Sequence, residues 1–196
     1  MDLTQGTSEQ KNNRAKKMML WFGIVSLIMT FGGLTSAFIV SSTREDWLNN
    51  FILPEAFTYS TIVIFSSSIV LYLTKKAIIK GQRSLSTSLL LGVFVLGVAF
   101  IYAQVVGFNQ IIATGYNFTG PTSNITMSYI YIIAVLHIVH VVAALVALSV
   151  IIVKHLKRPY TSKNRLGFDL ASTFWHFVDI LWLYLFFFLY FFNKIN

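Results

Sequence analysis

Between its clusters of charged residues the chain runs five times through apolar stretches of about 20 residues or more, at 18–40, 54–73, 85–108, 127–153 and 170–192. A bilayer crossing needs roughly 20 mostly apolar residues rising about 1.5 Å each. Inside lipid the backbone must satisfy its own hydrogen bonds, which helices do within one segment. Only 11% of the 196 residues are charged, where a soluble domain carries about 25%. The expected fold is therefore all-α: a polytopic membrane protein with a bundle of five transmembrane helices. The helices form one domain over 18–193, preceded by a flexible cytoplasmic tail at 1–17. The first apolar run is too long for a signal peptide, whose core spans about 7–15 residues. It reads as a retained helix.

Basic residues order the topology. Lys11, Arg14, Lys16 and Lys17 precede the first stretch, and Lys75, Lys76, Lys80 and Arg83 separate the second from the third. Lys154, Lys157, Arg158, Lys163 and Arg165 lie between the fourth and fifth. Only Arg44 and Lys194 fall on the opposite side, a split of 13 against 2. This places the N-terminus in the cytoplasm and the C-terminus outside. The formal charge of +8 is thus a topology signal, with anionic headgroups as a secondary contact, and no nucleic-acid partner is expected. With no cysteine, disulfides and thiolate-ligated metal sites are excluded.

Ionisable groups inside a span cost about 2.5–3.5 kcal/mol on insertion scales and are usually paired or functional. The spans hold few: His137 and His140 in the fourth, His176 and Asp179 in the fifth, with Gln104 as the main uncharged addition in the third. Each pair is three residues apart and shares a helix face. The fourth and fifth spans are antiparallel neighbours, and His140 and Asp179 lie at similar depth. A His140–Asp179 contact between them would offset both burial costs. A bis-histidine haem needs ligands on facing helices, which leaves His137 or His140 with His176 as an alternative. Four histidines are too few for a membrane di-iron centre. The preferred reading is a structural or proton-handling polar network of His137, His140, His176, Asp179 and Gln104. Catalytic, cofactor-binding and metal-binding residues are none. His155 reads as a solvated loop residue, and Trp21, Trp47, Tyr129 and Tyr131 as interfacial anchors. Gly32, Gly33, Ser66, Ser67, Ser68, Gly92, Ala143 and Ala147 read as small residues for close helix packing.

The run Phe174–Trp175–His176–Phe177–Val178–Asp179–Ile180–Leu181–Trp182–Leu183 resembles the last-helix signature of subunit III of the haem–copper oxidases, with Trp175 and Trp182 as its tryptophans. Leu136–His137–Ile138–Val139–His140 is similar to the family's LHxxH segment. Phe31–Gly32–Gly33–Leu34, Leu53–Pro54, Ser66–Ser67–Ser68, Gln104 with Gly107–Phe108, Gly115, Gly120 and Ser128–Tyr129 follow in matching order. The resemblance covers about residues 16–193 and is to the short five-helix bacterial type, which implies the bacterial cytoplasmic membrane. It implies an accessory subunit without a cofactor, packed directly against a catalytic subunit I. Haem and copper would lie in partner subunits, with subunit II, other respiratory-complex subunits and membrane lipids as further partners. The complex would be a proton-pumping terminal oxidase of the cytochrome c oxidase type. Quinol-oxidase and nitric-oxide-reductase-associated homologues are alternatives within that class; a membrane cytochrome b or small proton-coupled transporter is one outside it. Two departures stand out: Ser26–Leu27 and Gly107 occupy positions where many members carry acids.

Overall fold

The computed structural model describes residues 6–48, 53–120, 122–157, 160–161 and 164–195, with side chains as far as 192. Its elements are α1 (Ser8–Ser41), α2 (Glu55–Ile79), α3 (Arg83–Ala113), α4 (Ile125–Lys157) and α5 (Leu166–Ile195). All five are long and apolar enough to cross a membrane. Among the described residues the only extended pairing is an isolated bridge between Asn117 and Ser123.

Every helix outruns its apolar stretch, because end chemistry rather than hydropathy sets the boundaries. The polar segment expected as a flexible tail is helical from Ser8; residues 1–5 lie outside the described residues. Thr7 starts it by accepting from the Gln10 N–H at 3.3 Å, while the Gln10 side chain accepts from the Thr7 N–H at 3.1 Å. This capping box satisfies two donors that the first turn leaves free. Pro54 precedes α2 at a position where its missing N–H costs nothing. The α2–α3 turn is tight: Gly81 has φ +71°, with Gly81 N–H donating to Ile78 O and Gln82 N–H to Ala77 O. This double closure needs a left-handed residue after the helix, which glycine supplies without steric cost. Lys75 and Lys76, expected in that loop, are helical. Asn124 caps α4 by accepting the Thr126 N–H at 2.8 Å.

The two ends of the bundle are fastened differently. At one end Phe38 packs edge-on to Trp47, Phe188 and Phe192 with centroids 4.8, 5.5 and 5.0 Å away. The Leu48 N–H donates to Thr126 Oγ1 at 2.9 Å, so the segment after α1 folds back onto the start of α4. Trp47 and Tyr131 are accordingly buried, not the interfacial anchors that their residue type suggested. Nearby, Arg44 and Asp46 form an exposed pair at 2.8 Å. The hydrogen bond from Arg44 holds the Asp46 carboxyl below its ordinary range.

At the other end Arg83 Nη2 donates to Leu156 O at 2.8 Å, satisfying one of the free carbonyls at the end of α4. His155 is buried there; it bonds to Ser86 Oγ at 2.9 Å, accepts the Tyr160 N–H at 3.2 Å and stacks on the Tyr160 ring. The expectation of a solvated His155 is corrected: the helix continues past it and turns its ring onto α3. Asp169 pairs with Lys75 at 3.2 Å and Arg165 at 3.1 Å, joining α2 to α5. Arg158 and Lys163 lie outside the described residues.

Candidate functional site: a polar seam between α2 and α5

The buried face of α5 repeats at helical spacing through Trp175, Val178, Asp179 and Trp182. It lies antiparallel on Thr61, Ser67 and Ser68 of α2. Trp182 Nε1 donates to Thr61 Oγ1 at 3.0 Å, and Trp175 Nε1 to Ser67 Oγ at 3.0 Å. Asp179 sits between the two tryptophans and takes the Ser68 hydroxyl, with Ser67 Oγ at 3.4 Å. The single Ser67 hydrogen is better placed on Ile64 O at 2.7 Å, so Ser68 is the principal partner of the carboxyl. Ser68 Oγ also lies 2.9 Å from His176 Nδ1.

Asp179, Ser68 and His176 thus form a three-member hydrogen-bonded chain. With Asp179 ionised, Ser68 donates to it and His176 Nδ1–H donates to Ser68. With Asp179 protonated, the direction can reverse, since hydroxyl and imidazole can each give or accept. The chain can hold a proton or shift it by one group, and it joins two helices. Asp179 is thus tied through hydroxyls, Ser68 and more distantly Ser67.

The expected His140–Asp179 contact is not formed. His140 Nδ1 bonds instead to Leu136 O at 2.7 Å, and its ring lies edge-on to Phe31 of α1 at 5.9 Å. Asp179 faces α2 and His140 faces α1, a direction around the helix axis that counting from the helix ends does not give. At the α4–α5 contact His137 meets Trp182, centroids 5.0 Å apart. His137 is fully buried between Trp182, Phe100 and Phe31, and among the described residues neither ring nitrogen has a hydrogen-bond partner. It acts as a core aromatic outside the hydrogen-bonded network. Gln104 Nε2 donates to Ser60 Oγ at 2.8 Å, which ties α3 to α2, while its Oε1 has no partner among the described residues.

His137 and His140 both border Phe31 of α1, whereas His176 is hydrogen-bonded to Ser68 of α2. Among the described residues no group of three or more His, Cys, Asp or Glu could hold a metal ion.

Ser60, Thr61, Ser67 and Ser68 are the partners that sequence reasoning missed. The signal was present in the consecutive serines 66–68, read as spacers although adjacent hydroxyls in lipid also need acceptors. Replacing Ser67 by alanine is expected to cost about 1–3 kcal/mol, because it strands the buried Trp175 N–H. Detergent-resolved thermal unfolding would show it as a lowered midpoint, and Ser67→Thr should recover part of the loss.

A model of cytochrome c oxidase subunit III matches residues 5–194, nearly the whole chain. The chain belongs to the cytochrome c oxidase subunit III family. Subunit 3 of the cytochrome bo(3) ubiquinol oxidase of Pseudomonas aeruginosa is 29% identical over 126 residues, 64% of this chain and 59% of that protein. Cytochrome c oxidase subunit 3 of Mus musculus is 27% identical over 173 residues, 83% of this chain and 64% of the relative. That of Thermostichus vulcanus is 27% identical over 176 residues, 85% and 82%. The chain spans roughly six-tenths of the length of the first two.

Membership gives the signature run a structural meaning in this chain. The motif's tryptophan, histidine and aspartate each have a hydrogen-bond partner on α2, through Ser67 and Ser68. Gly107 and Leu27 both sit in packed surroundings. The Phe57 ring occupies the space that a side chain at Gly107 would enter, and Leu27 packs half-buried on the core.

Proposed function

We propose that this chain is an accessory, cofactor-free subunit III of a proton-pumping haem–copper terminal oxidase of the cytochrome c oxidase type. It would support assembly, proton uptake and sustained turnover of the catalytic subunit in a bacterial cytoplasmic membrane. The family match over residues 5–194 carries the reading. The seam adds physical support: the signature residues are spent on holding α5 to α2, and the Asp179–Ser68–His176 chain is suited to retaining a proton rather than to transforming a substrate. The distribution of basic residues favours a cytoplasmic N-terminus. Haem and copper belong to the partner subunits in this reading, with subunit I the direct neighbour. A quinol oxidase is the second reading, favoured by the ubiquinol oxidase relative.

The test is to isolate the complex through a tag on this chain and then strip the chain off. Haem absorption should co-purify with the tagged chain and remain with the other subunits after separation. A haem Soret band on the isolated chain would overturn the proposal in favour of a membrane cytochrome b. Purification of the chain without any haem-bearing partner would also overturn it. Among complexes that are recovered, oxidation of reduced cytochrome c or of quinol distinguishes the two donors.

A further inference from the structure

Gln104 of α3 and His137 of α4 are both 0% exposed. Among the described residues Gln104 Oε1 and both His137 ring nitrogens have no hydrogen-bond partner. The polar groups around them are already committed. Ser60 gives its hydrogen to Phe57 O at 2.8 Å, so towards Gln104 Nε2 it can only accept, and Oε1 is left at the open end of the amide. Thr61 likewise gives its hydrogen to Phe57 O at 2.7 Å and takes the Trp182 N–H. Polar groups buried without a partner are costly, and lipid tails offer none.

The unpaired groups border the same two rings. Phe100 packs on His137 and on Trp182, with centroids 5.8 and 5.3 Å away, which sets His137 level with Phe100. Gln104 lies four residues beyond Phe100 on the same face of α3. That turn rises about 5.4 Å, close to the roughly 5.5–6 Å that two hydrogen bonds in series cover. Oε1 is an acceptor, while a neutral imidazole offers one donor and one acceptor. Whatever bridges them must be small and able both to give and to accept. Full burial keeps out lipid and partner chains, and among the described residues no group of three or more His, Cys, Asp or Glu could hold a metal ion.

We propose that Gln104 and His137 hold one buried water molecule, which donates to Gln104 Oε1 and is hydrogen-bonded to a ring nitrogen of His137. Buried waters typically serve groups of this kind, with two to four polar partners each. The water would tie α3 to α4 in mid-membrane. Direct hydrogen bonds between these helices, among the described residues, lie towards the ends, from Ser86 and Arg83 to His155 and Leu156 and from Tyr131 to Phe108. The site is independent of which complex the chain joins.

A double-mutant cycle on the full chain tests it, with His137→Phe, Gln104→Leu and the two combined. Gln104→Leu leaves Ser60 bonded to Phe57 O, so it removes only the amide. Each single variant should raise the unfolding equilibrium constant roughly tenfold, because it strands the group at the other end of the bridge. The double variant should be less damaging than the sum of the two. If the site is dry, each substitution removes an unsatisfied group, stability stays level or rises, and the effects add. The second readout is NMR of the wild-type chain with ring-labelled histidine, the His137 signal being the one lost in His137→Phe. Magnetisation should pass from water to that ring and should fall in Gln104→Leu. Additive effects without loss of stability, or a His137 ring with no water contact, would overturn the site.

Discussion

Trp182→Ala is expected to lower the stability of the bundle more than any other single truncation in it. The indole is buried, packs on His137, Phe100 and Phe57 with centroids 5.0, 5.3 and 5.8 Å away, and donates to Thr61 Oγ1 at 3.0 Å. It therefore contacts α2, α3 and α4 from α5. In soluble cores such a truncation costs about 3–5 kcal/mol, part from water transfer and part from the cavity. Between lipid-solvated helices the transfer part is largely missing, which leaves a loss of about 2–3 kcal/mol from lost packing and the bond to Thr61. Thermal unfolding in a fixed detergent measures it. Thr61→Val should show only the hydrogen-bond share, about 1 kcal/mol.

Gly97→Val should be nearly as damaging, for the opposite reason. A Cβ at 97 would lie 2.6 Å from Trp175 Cη2 and 2.8 Å from Leu145 Cδ2. Leu145 can rotate, but Trp175 is buried and anchored through Nε1 to Ser67, so α3 must move away or the indole must leave its acceptor. Overpacking of this kind costs about 1–3 kcal/mol. The expected readout is a lower unfolding midpoint together with a change in tryptophan fluorescence, since the Trp175 environment opens. Gly33→Val is the control: nothing lies within 4 Å of its Cβ position, so its midpoint should stay at the wild-type value.

How much of this was readable in advance differs from element to element. The five helices were legible because bilayer thickness imposes a length that composition displays directly. Their ends were less so: the Thr7–Gln10 box is present in the sequence, but it sits in a polar segment that hydropathy alone reads as tail. Asp179 and His176 were found because ionisable groups in lipid are conspicuous. Their partners were not, because counting residues from helix ends gives depth and says nothing about direction around the axis. Asp179 turned out to face α2, a helix remote in sequence, and the serines that meet it are residues ordinarily read as spacers. His155 was missed because a basic flank resembles a solvated loop, whereas Ser86 and Tyr160 enclose it.

The central claim is that the intramembrane carboxyl joins helices while the redox chemistry belongs to other chains. Asp179→Ala tests it within the intact complex. The substitution removes the acceptor of Ser68 and the end of the Asp179–Ser68–His176 chain, at an expected cost of about 1–3 kcal/mol in subunit stability. Initial turnover per haem and subunit retention should be measured on the same preparation, with Asp179→Asn alongside to restore an acceptor. Wild-type initial turnover with weakened retention, partly recovered by asparagine, is the predicted outcome. Full retention with initial turnover abolished would place Asp179 in the chemistry itself and refute the claim.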